Sequence, residues 1–374
     1  MESLIFSQAI KSITPKSKIN ASKFQLEGKY PIISQEATLI SGYWDLGQDV
    51  MRIEKPVVIY GDHTRNVKYV DFDFVVGADG VKIFLPVDEL DAKYLYYWLL
   101  AHPVKSLGYA RHYRLLKDSV ITFPTLEIQR AIVSKLDDIF QKIDKSIELL
   151  KISLTSSNTL RSKYIEDYMA HAAGSLKQLS DICKFENGDR GKNYPSKSKQ
   201  TVSGIPFINA GNLNRSKIDF EGMTYISQDT FDKLGGGKIK KNDILFCLRG
   251  SLGKFATVGD LNQGAIASSL VIIRPDIDQA LVDYLLYYFE GEQCKRMITR
   301  FENGTAQPNL SAGSLKKFEI NLPSTSKQME VIKSLNHVTH LIDETVRLRR
   351  KKIQNLEALK HNLLIEALSG SAVK

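Results

Sequence analysis

The sequence predicts an α+β protein with two mixed α/β domains separated by two long antiparallel coiled-coil helices, as a pseudo-twofold repeat. The first supporting observation is an internal alignment: residues 123–169 match residues 322–368 without a gap, at a constant offset of 199. The second is the helical spacing of apolar residues in both segments. An offset of this length is too large for a solenoid and indicates a domain-plus-helix unit that occurs twice.

The aligned residues agree in kind along both segments. Apolar residues meet apolar residues, and polar residues recur at matching positions. The matched pairs include Pro124 with Pro323, Gln129 with Gln328, Ile132 with Val331, Leu136 with Leu335, Ile143 with Ile342, Asp144 with Asp343, and Leu160 with Leu359.

Each predicted long helix begins just after a proline that ends an apolar strand. Thr125 and Ser324 stand at the N-cap positions. Apolar residues follow at intervals of three and four, so each helix has a seam for a partner helix. Some 45 residues would span roughly 65–70 Å. We expect the two seams to pair with each other, antiparallel; the alternative is that each helix packs on its own domain.

The remaining segments have strand-like runs, which predict the two mixed α/β domains. Each half closes with a short helix that has an aromatic face, 93–100 in the first half and 282–289 in the second. We interpret that face as core and not as a platform for base stacking. The predicted boundaries are residues 1–124 for the first domain, 125–172 for the first long helix, 173–323 for the second domain and 324–374 for the second long helix.

The charge distribution permits nucleic-acid binding without proving it. The net charge is +9, and the excess lies in the second half: residues 171–323 carry 20 basic and 16 acidic side chains, whereas residues 1–124 carry 15 and 14. The sequence begins without a basic stretch before an apolar run, so we expect no signal peptide and a cytoplasmic location. No apolar run is long enough for a membrane span, so no membrane partner is expected.

No catalytic or metal-binding motif is evident. The three cysteines, Cys183, Cys247 and Cys294, are scattered and are expected to be reduced core thiols. The run Gly235-Gly236-Gly237-Lys238 lacks the spacing of a phosphate-binding loop. Asp91 is interpreted as an N-cap of the first aromatic helix. We therefore expect neither catalysis nor a bound metal.

Basic and amide side chains cluster in glycine-containing loops of both halves, where a rigid scaffold would present them. Arginine can read guanine edges, and asparagine or glutamine can read adenine edges. Lysine, serine and backbone N–H groups beside glycine suit phosphate oxygens. These loops could also be ordinary polar turns. The candidates for DNA contact are Gln35, His63, Arg65, Arg111, His112, Arg114, Arg190, Lys192, Asn209, Asn212, Arg215, Arg249, Ser251, Lys254, Gln307 and Asn309.

At this point the chain resembles the DNA-specificity subunits of type I restriction–modification systems, over essentially its whole length. The residues that carry the resemblance are 204–213, 243–246 running into 249–253, and 304–310 continuing through 318–323, with Gln328 entering the repeat helix. In the first half, residues 30–35 and 61–65 resemble a variant of the same family. The closing loop 108–113, Gly-Tyr-Ala-Arg-His-Tyr, departs from the Gly-Thr-Ala-Gln-Pro-Asn form of the second half.

The resemblance implies a specific function. Each domain would read one half of a split, asymmetric site on double-stranded DNA, and the helices would set the unspecified spacer. The helices would also dock two modification (methyltransferase) subunits, which methylate adenine, and the restriction subunits would join them. This chain would bind no cofactor: S-adenosylmethionine belongs to the modification subunit, and ATP and Mg²⁺ belong to the restriction subunit.

Two alternative functions are compatible with the sequence. A coiled-coil scaffold that binds only proteins predicts no salt-dependent affinity for DNA. A stand-alone dumbbell-shaped DNA-binding protein predicts specific binding without modification subunits.

Overall fold

The chain forms two compact units, described here from a computed structural model. The structure describes residues 1–214, 216–303 and 308–369. The first unit consists of residues 1–150 together with the chain from residue 350 onward, and the second unit consists of Lys151–Arg349. Each long helix therefore contributes one part to each unit.

In the described residues, the first unit contains ten strands and three short helices, together with the N-terminal part of the first long helix and the C-terminal part of the second. In chain order they are β1 (Glu2–Ile5), α1 (Phe6–Ala9), β2 (Ile10–Ile13), β3 (Tyr30–Ile33), β4 (Gly42–Trp44), β5 (Val50–Met51), β6 (Val57–Gly61), β7 (Val67–Val70), β8 (Phe74–Val76), β9 (Val81–Pro86), α2 (Ala92–Ala101), α3 (Tyr113–Leu116), β10 (Val120–Phe123) and α4 (Leu126–His171), with 3₁₀ turns at Ala21–Lys23 and Gly47–Asp49.

Over the part of residues 151–349 that the structure describes, the second unit contains twelve strands and five short helices, together with the C-terminal part of α4 and the N-terminal part of the second long helix. They are β11 (Ser175–Gln178), α5 (Leu179–Ile182), β12 (Cys183–Asn187), β13 (Gln200–Thr201), β14 (Ile205–Ile208), β15 (Leu213–Asn214), β16 (Lys217–Ile218), β17 (Thr224–Ile226), α6 (Gln228–Asp232), β18 (Ile244–Cys247), β19 (Phe255–Thr257), β20 (Ala265–Ile266), β21 (Leu270–Pro275), α7 (Val282–Glu290), α8 (Glu292–Phe301), α9 (Ala312–Lys316), β22 (Glu319–Leu322) and α10 (Thr325–Leu368), with 3₁₀ turns at Lys197–Lys199 and Ala210–Asn212.

The two units repeat one sheet topology. The antiparallel sheet β2-β9-β6-β7 of the first unit has the same order as β12-β21-β18-β19 of the second. A second, mixed sheet contains the parallel pair β3-β8 in one unit and β14-β20 in the other. A two-stranded pair, β1-β10 or β11-β22, precedes each long helix. The predicted fold class, two mixed α/β domains with two long helices, is confirmed.

The central strand of each antiparallel sheet is buried on both faces. In β6, Val58 and Tyr60 pack in the cluster that includes α2, whereas Val57 and Ile59 pack with residues of the second sheet. In the second unit, β18 (Ile244–Cys247) alternates in the same way between the α7 cluster and the second sheet. Continuous apolar runs such as Val-Val-Ile-Tyr arise because both faces are covered.

The aromatic helices belong to the core, as predicted. In α2, Tyr94, Leu95 and Trp98 are buried against the sheet. Asp91 is the N-cap, and its carboxylate accepts hydrogen bonds from the backbone N–H groups of Lys93 and Tyr94. In the second unit, α7 (Val282–Glu290) buries Tyr284 and Tyr288 in the corresponding place.

The long helices pack against each other antiparallel within each unit. In the first unit, Leu136, Ile143 and Ile147 of α4 are buried in one cluster with Leu364 of α10. Lys360 Nζ contacts the Asp144 carboxylate at 2.7 Å across the pair. The same cluster includes Tyr97 of α2, so the helix packs on its own domain as well as on its partner helix.

In the second unit the helix pair is joined by polar contacts. Arg161 of α4 donates to the carbonyl of Thr339 at 3.3 Å and to Asp343 at 3.2 Å on α10, and it pairs with Glu290 at the end of α7. Further along, Arg349 of α10 donates to Ser157 on α4. Since each contact joins particular turns of the two helices, together they fix the register of the pair.

A buried glutamine ties each long helix to its domain. Gln129 and Gln328 are both fully buried. Gln129 Oε1 accepts from the backbone N–H of Asp91 at 2.8 Å, and its Nε2 donates to the carbonyls of Glu89 and Pro124. Gln328 makes the matching three bonds, to Leu281 N–H and to the carbonyls of Gln279 and Pro323. The side-chain carbonyl oxygen and both N–H bonds of each buried amide are thereby hydrogen-bonded at both repeat positions.

A tyrosine from each aromatic helix makes a second repeated contact. Tyr97 of α2 donates its hydroxyl to Asp137 of α4. Tyr287 of α7 donates to Asn336 of α10 at 2.7 Å. Asp137 and Asn336 are related by the same offset of 199, so the sequence repeat and the domain–helix contact coincide.

Candidate nucleic-acid interface

The ends of three strands in the second unit bring the predicted loops to one edge of the domain. β12 ends at Asn187, opposite Val271, and β18 ends at Cys247, opposite Leu270. β14 ends at Ile208 beside Ile266. Because their strand partners all fall within residues 266–271, the loops after β12, β14 and β18 begin next to one another. These loops carry Arg190, Lys192, Asn209, Asn212, Arg249, Ser251 and Lys254.

The loop after β18 is a tight turn that projects basic side chains. Cys247 N–H donates to the carbonyl of Lys254, and Ser251 N–H donates to the carbonyl of Arg249. Gly250 and Gly253 have φ of 76° and 83°, a conformation that glycine adopts without strain. Arg249 pairs through its main chain with Asn309. The side chains of Arg249, Ser251, Lys254 and Asn309 are exposed.

The loop after β12 is ordered by one carboxylate. Asp189 accepts hydrogen bonds from the backbone N–H groups of Gly235 at 2.8 Å and Gly191 at 2.6 Å. These bonds, that from Gly235 foremost, lower the pKa of the carboxyl group, so it stays ionised. Arg190 and Lys192 are exposed, and Arg190 donates to the carbonyl of Ser268 at 3.1 Å.

The loop after β14 is capped by two asparagines with different roles. Asn209 is partly exposed, and its Oδ1 accepts from Gly211 N–H at 2.8 Å. Asn212 is only 3% exposed; it accepts from Asn209 N–H and donates to the carbonyl of Asp219. The prediction that Asn212 contacts DNA is therefore corrected: both ends of its amide are used inside the protein, and it supports the loop.

In the first unit, corresponding strand ends bring a smaller set of loops together. β3 ends at Ile33 beside Val76, and β6 ends at Gly61 opposite Val81. The main-chain oxygen of Gln35 accepts from Thr64 Oγ1 at 2.6 Å and from Asn66 Nδ2 at 2.9 Å, and the Gln35 side chain accepts from His63 N–H at 3.3 Å. Gln35 thus packs on the turn that carries His63 and Arg65.

Lys68 supports the segment that contains Gln35 from the protein interior. It is 5% exposed, and its ammonium donates to the carbonyls of Ser34 at 2.8 Å and Leu39 at 3.3 Å. Burial lowers the pKa of Lys68 to about 8. The lysine therefore supports the Gln35 loop from the inside and offers no charge at the surface.

Arg65 is partly exposed and has a φ of 64°, a left-handed conformation. Its guanidinium donates to the carbonyl of Val104 at 3.2 Å, so this side chain links the turn to the segment between α2 and the closing loop. Arg111 and Arg114 are exposed in the following segment. These arginines give the first unit its cationic side chains near the turn.

His112 is the second prediction that the structure corrects. The side chain is fully buried. Its Nδ1 donates to the carbonyl of Asp62 at 2.9 Å, and its Nε2 accepts from Leu107 N–H at 3.0 Å. Because both ring nitrogens are hydrogen-bonded inside the protein, neither is left for a contact with DNA. The two bonds instead hold the closing loop against the turn after β6.

Two candidates, Arg215 and Gln307, lie outside the described residues. The sequence-based list also left out residues that shape the site. Asp62 and Asp189 order their loops, and Tyr109, which is exposed beside His63, lies within a loop that the sequence had already indicated. The sequence feature that could have indicated Tyr109 is its position directly after Gly108, in a loop that also contains Arg111.

No group of histidine, cysteine, aspartate or glutamate within residues 1–214, 216–303 and 308–369 is placed to hold a metal ion. Cys183, Cys247 and Cys294 are buried free thiols, as expected. In the same ranges, no helix is both long and apolar enough to cross a membrane.

The chain is similar in sequence to specificity subunits of type I restriction enzymes. The specificity subunit of the EcoR124I/EcoR124II type I restriction enzyme of Escherichia coli is 23% identical over 353 residues, covering 87% of this chain and 84% of that protein. The MjaVIII specificity subunit of Methanocaldococcus jannaschii is 22% identical over 381 residues, covering 92% and 87%.

The fold also has a solved counterpart. A chain from a structure that addresses complex assembly and conformational transition of the type I R-M system superimposes with a TM-score of 0.73 at 15% identity, covering 99% of this chain and 97% of that one. Residues 6–152 and 175–358 match the family model described as the type I restriction modification DNA specificity domain. The chain therefore belongs to the type I restriction–modification DNA-specificity family and carries the family's domain twice.

Proposed function

We propose that the chain reads a bipartite, asymmetric site on double-stranded DNA, with one half-site read by each domain. The observation that supports this most is the repeated sheet edge. Both units collect their loops at the ends of corresponding strands, but the loops carry different side chains. Two copies of one scaffold with different reading residues suit a site whose two halves differ in sequence.

In the second domain, direct contacts would come from exposed side chains and not from the buried amide of Asn212. Arg249 and Lys254 extend from a turn that is fixed by its own main chain, and Asn309 lies on the segment that pairs with Arg249. A rigid support reduces the entropy lost on binding, so each contact contributes more of its free energy to affinity. Arg190 and Lys192 extend the same cationic edge.

The helices would hold the two domains at a set separation and thereby determine the unspecified spacer between half-sites. They would also dock two modification subunits and, with these, the restriction subunits. The chain itself would bind no cofactor. S-adenosylmethionine would be held by the modification subunit, and ATP with Mg²⁺ by the restriction subunit.

The test is to co-express the chain with its modification subunit and to sequence the host DNA for methyladenine at single-molecule level. We expect one bipartite motif with two defined half-sites and a fixed gap. A stable complex that leaves the DNA unmodified would contradict the proposal and favour a protein scaffold. Specific binding by the chain alone, unchanged by the modification subunit, would favour a stand-alone DNA-binding protein.

A further inference from the structure

The closing loop of the first domain exposes a large aromatic side chain. Tyr109 is 92% exposed. A tyrosine contributes favourably to folding when its ring is buried, and this one contributes almost no burial to the core. The ring therefore adds little to the fold that holds it, and its position calls for another explanation.

The base of this loop is rigid although its tip is exposed. His112 is fully buried and bonds to Asp62 through both its main chain and its ring. The N–H of Leu107 donates to the same imidazole. Leu107 and His112 flank Tyr109 on the two sides, so the histidine ties down both ends of the short segment that carries the ring.

The ring of Tyr109 lies beside the imidazole of His63 and nearly parallel to it, while remaining almost fully exposed. The ring centroids are 5.0 Å apart and the planes are inclined by 11°, a stacked arrangement. His63 is itself positioned by Gln35, and Gly80 leaves the room for both. A Cβ at Gly80 would lie 2.6 Å from Gln35 Oε1 and 2.8 Å from His63 Cδ2. The imidazole that Tyr109 stacks on is therefore held in place by Gln35 and by the space at Gly80.

The second domain has a different sequence at this place. Its closing loop reads Gly-Thr-Ala-Gln-Pro-Asn, with amides and no aromatic residue, where the first has Gly-Tyr-Ala-Arg-His-Tyr. An amide can read a base edge by hydrogen bonding, whereas an aromatic ring recognises the face of a base, and the tyrosine offers only its hydroxyl for a hydrogen bond. The two domains thus differ in the type of contact that the closing loop can make.

We propose that Tyr109 stacks on a nucleobase at a base step that the protein opens within the half-site read by the first domain. This inference rests on the proposed DNA-binding function. In a closed duplex every base face is covered by its neighbours, so a ring gains a base face only where the step is partly unstacked. Side chains inserted in this way kink the duplex and favour steps that unstack easily.

The test uses the full chain in complex with its modification subunits and duplexes carrying the motif obtained by methyladenine sequencing. 2-Aminopurine replaces one base at a time across both half-sites, because its fluorescence increases when it loses a stacking neighbour. Apart from the target adenines, which the modification subunits turn out of the stack, we expect a fluorescence change at one further step, in one half-site only. Tyr109→Ala should abolish this change and weaken binding by about five- to 150-fold, the range for loss of one stacked base.

Tyr109→Phe is the matched control, since it keeps the ring and loses only the hydroxyl. It should retain both the affinity and the fluorescence step. Equal binding and equal fluorescence for the wild-type protein and Tyr109→Ala would overturn the inference while leaving the proposed function intact. A loss in Tyr109→Phe as large as in Tyr109→Ala would also overturn it, because the hydroxyl would then make the contact. A wild-type complex that binds no DNA would overturn both proposals.

Discussion

Two histidines in the first domain show how residues of one type serve different purposes in neighbouring loops. His63 is partly exposed on a turn beside Tyr109, whereas His112 is enclosed and bonded at both ring nitrogens. The sequence indicated both, since each lies in a basic, glycine-containing loop. The sequence could not distinguish the buried histidine from the partly exposed one. The burial of His112 depends on packing against the turn at Asp62, which is 50 positions away in the chain.

Replacing His112 with alanine should destabilise the first unit. The change removes two hydrogen bonds and leaves a cavity, which together cost about 2–4 kcal/mol. Both tryptophans, Trp44 and Trp98, lie in this unit, so the midpoint of the tryptophan-fluorescence transition in urea measures the effect. The neighbouring exposed Arg111→Ala is the control and should change stability by less than about 0.5 kcal/mol. An unchanged midpoint for His112→Ala would contradict the assigned role.

Arg249 and Lys254 test whether the turn after β18 lies at the DNA. Loss of a phosphate contact should weaken binding to all sequences alike and reduce the slope of log K against log salt by about 0.9. Loss of a base contact should cost about 1–3 kcal/mol at one position of the site. Titrations of Arg249→Ala and Lys254→Ala against specific and random duplexes at two salt concentrations distinguish these cases.

The exposed Lys327, which pairs with Glu330 on α10, provides a control of equal charge in the same unit. If the variants at Arg249 and Lys254 bind as Lys327→Ala does, the turn does not contact DNA.

At the scale of elements, the glutamine at the start of each long helix joins helix and domain. The sequence paired Gln129 with Gln328 at the repeat offset, and the structure gives both the same three hydrogen bonds. One partner of each glutamine is the carbonyl of the proline five residues upstream, within the repeat. The other two partners were not predictable, because they are main-chain groups about 40 to 50 residues upstream in segments whose sequences have diverged. A helix-period pattern identifies a buried face, but it does not identify the loop that covers it.

Alanine at either glutamine should be strongly destabilising. It leaves one main-chain N–H and two carbonyls unsatisfied in a buried site, at a cost of about 2–4 kcal/mol. For Gln129→Ala we expect a lower midpoint by tryptophan fluorescence, and for Gln328→Ala a lower midpoint by circular dichroism. Gln141→Ala, at an exposed position of α4, is the control. A lowered midpoint for only one of the two variants would contradict the equivalent roles of Gln129 and Gln328.

At the scale of the whole molecule, the sequence predicted the repeat through its helices and not through its domains. The offset of 199 covers residues 123–169 and 322–368. The antiparallel sheets nonetheless have the same strand order in both units. Helix seams and the bonds at their ends constrain residue identity, whereas strands that are buried on both faces accept any apolar residue of suitable size. The loops diverge most, as expected if they read different DNA.

If the two long helices set the distance between the two DNA-reading domains, shortening both helices by the same amount should shorten the gap between the half-sites. A matched deletion in α4 and α10 tests this most directly. Deleting four residues of one helix, such as Lys151 to Leu154, would shorten the spacer by about 6 Å, or one to two base pairs, but it would remove Ser153, which accepts a bond from Arg349. Removing residues 145–151 and 353–359 together takes one heptad from each helix. It leaves Asp144–Lys360 and Ser157–Arg349 in place on the two sides.

The decisive measurement is methyladenine sequencing of host DNA with the wild-type chain and with this double deletion, each co-expressed with the modification subunit. A loss of seven residues per helix corresponds to about 10 Å, or about three base pairs. We expect that both half-sites stay the same and that the gap between them shortens by about that amount. Methylation at the original gap, or at one half-site without the other, would contradict it.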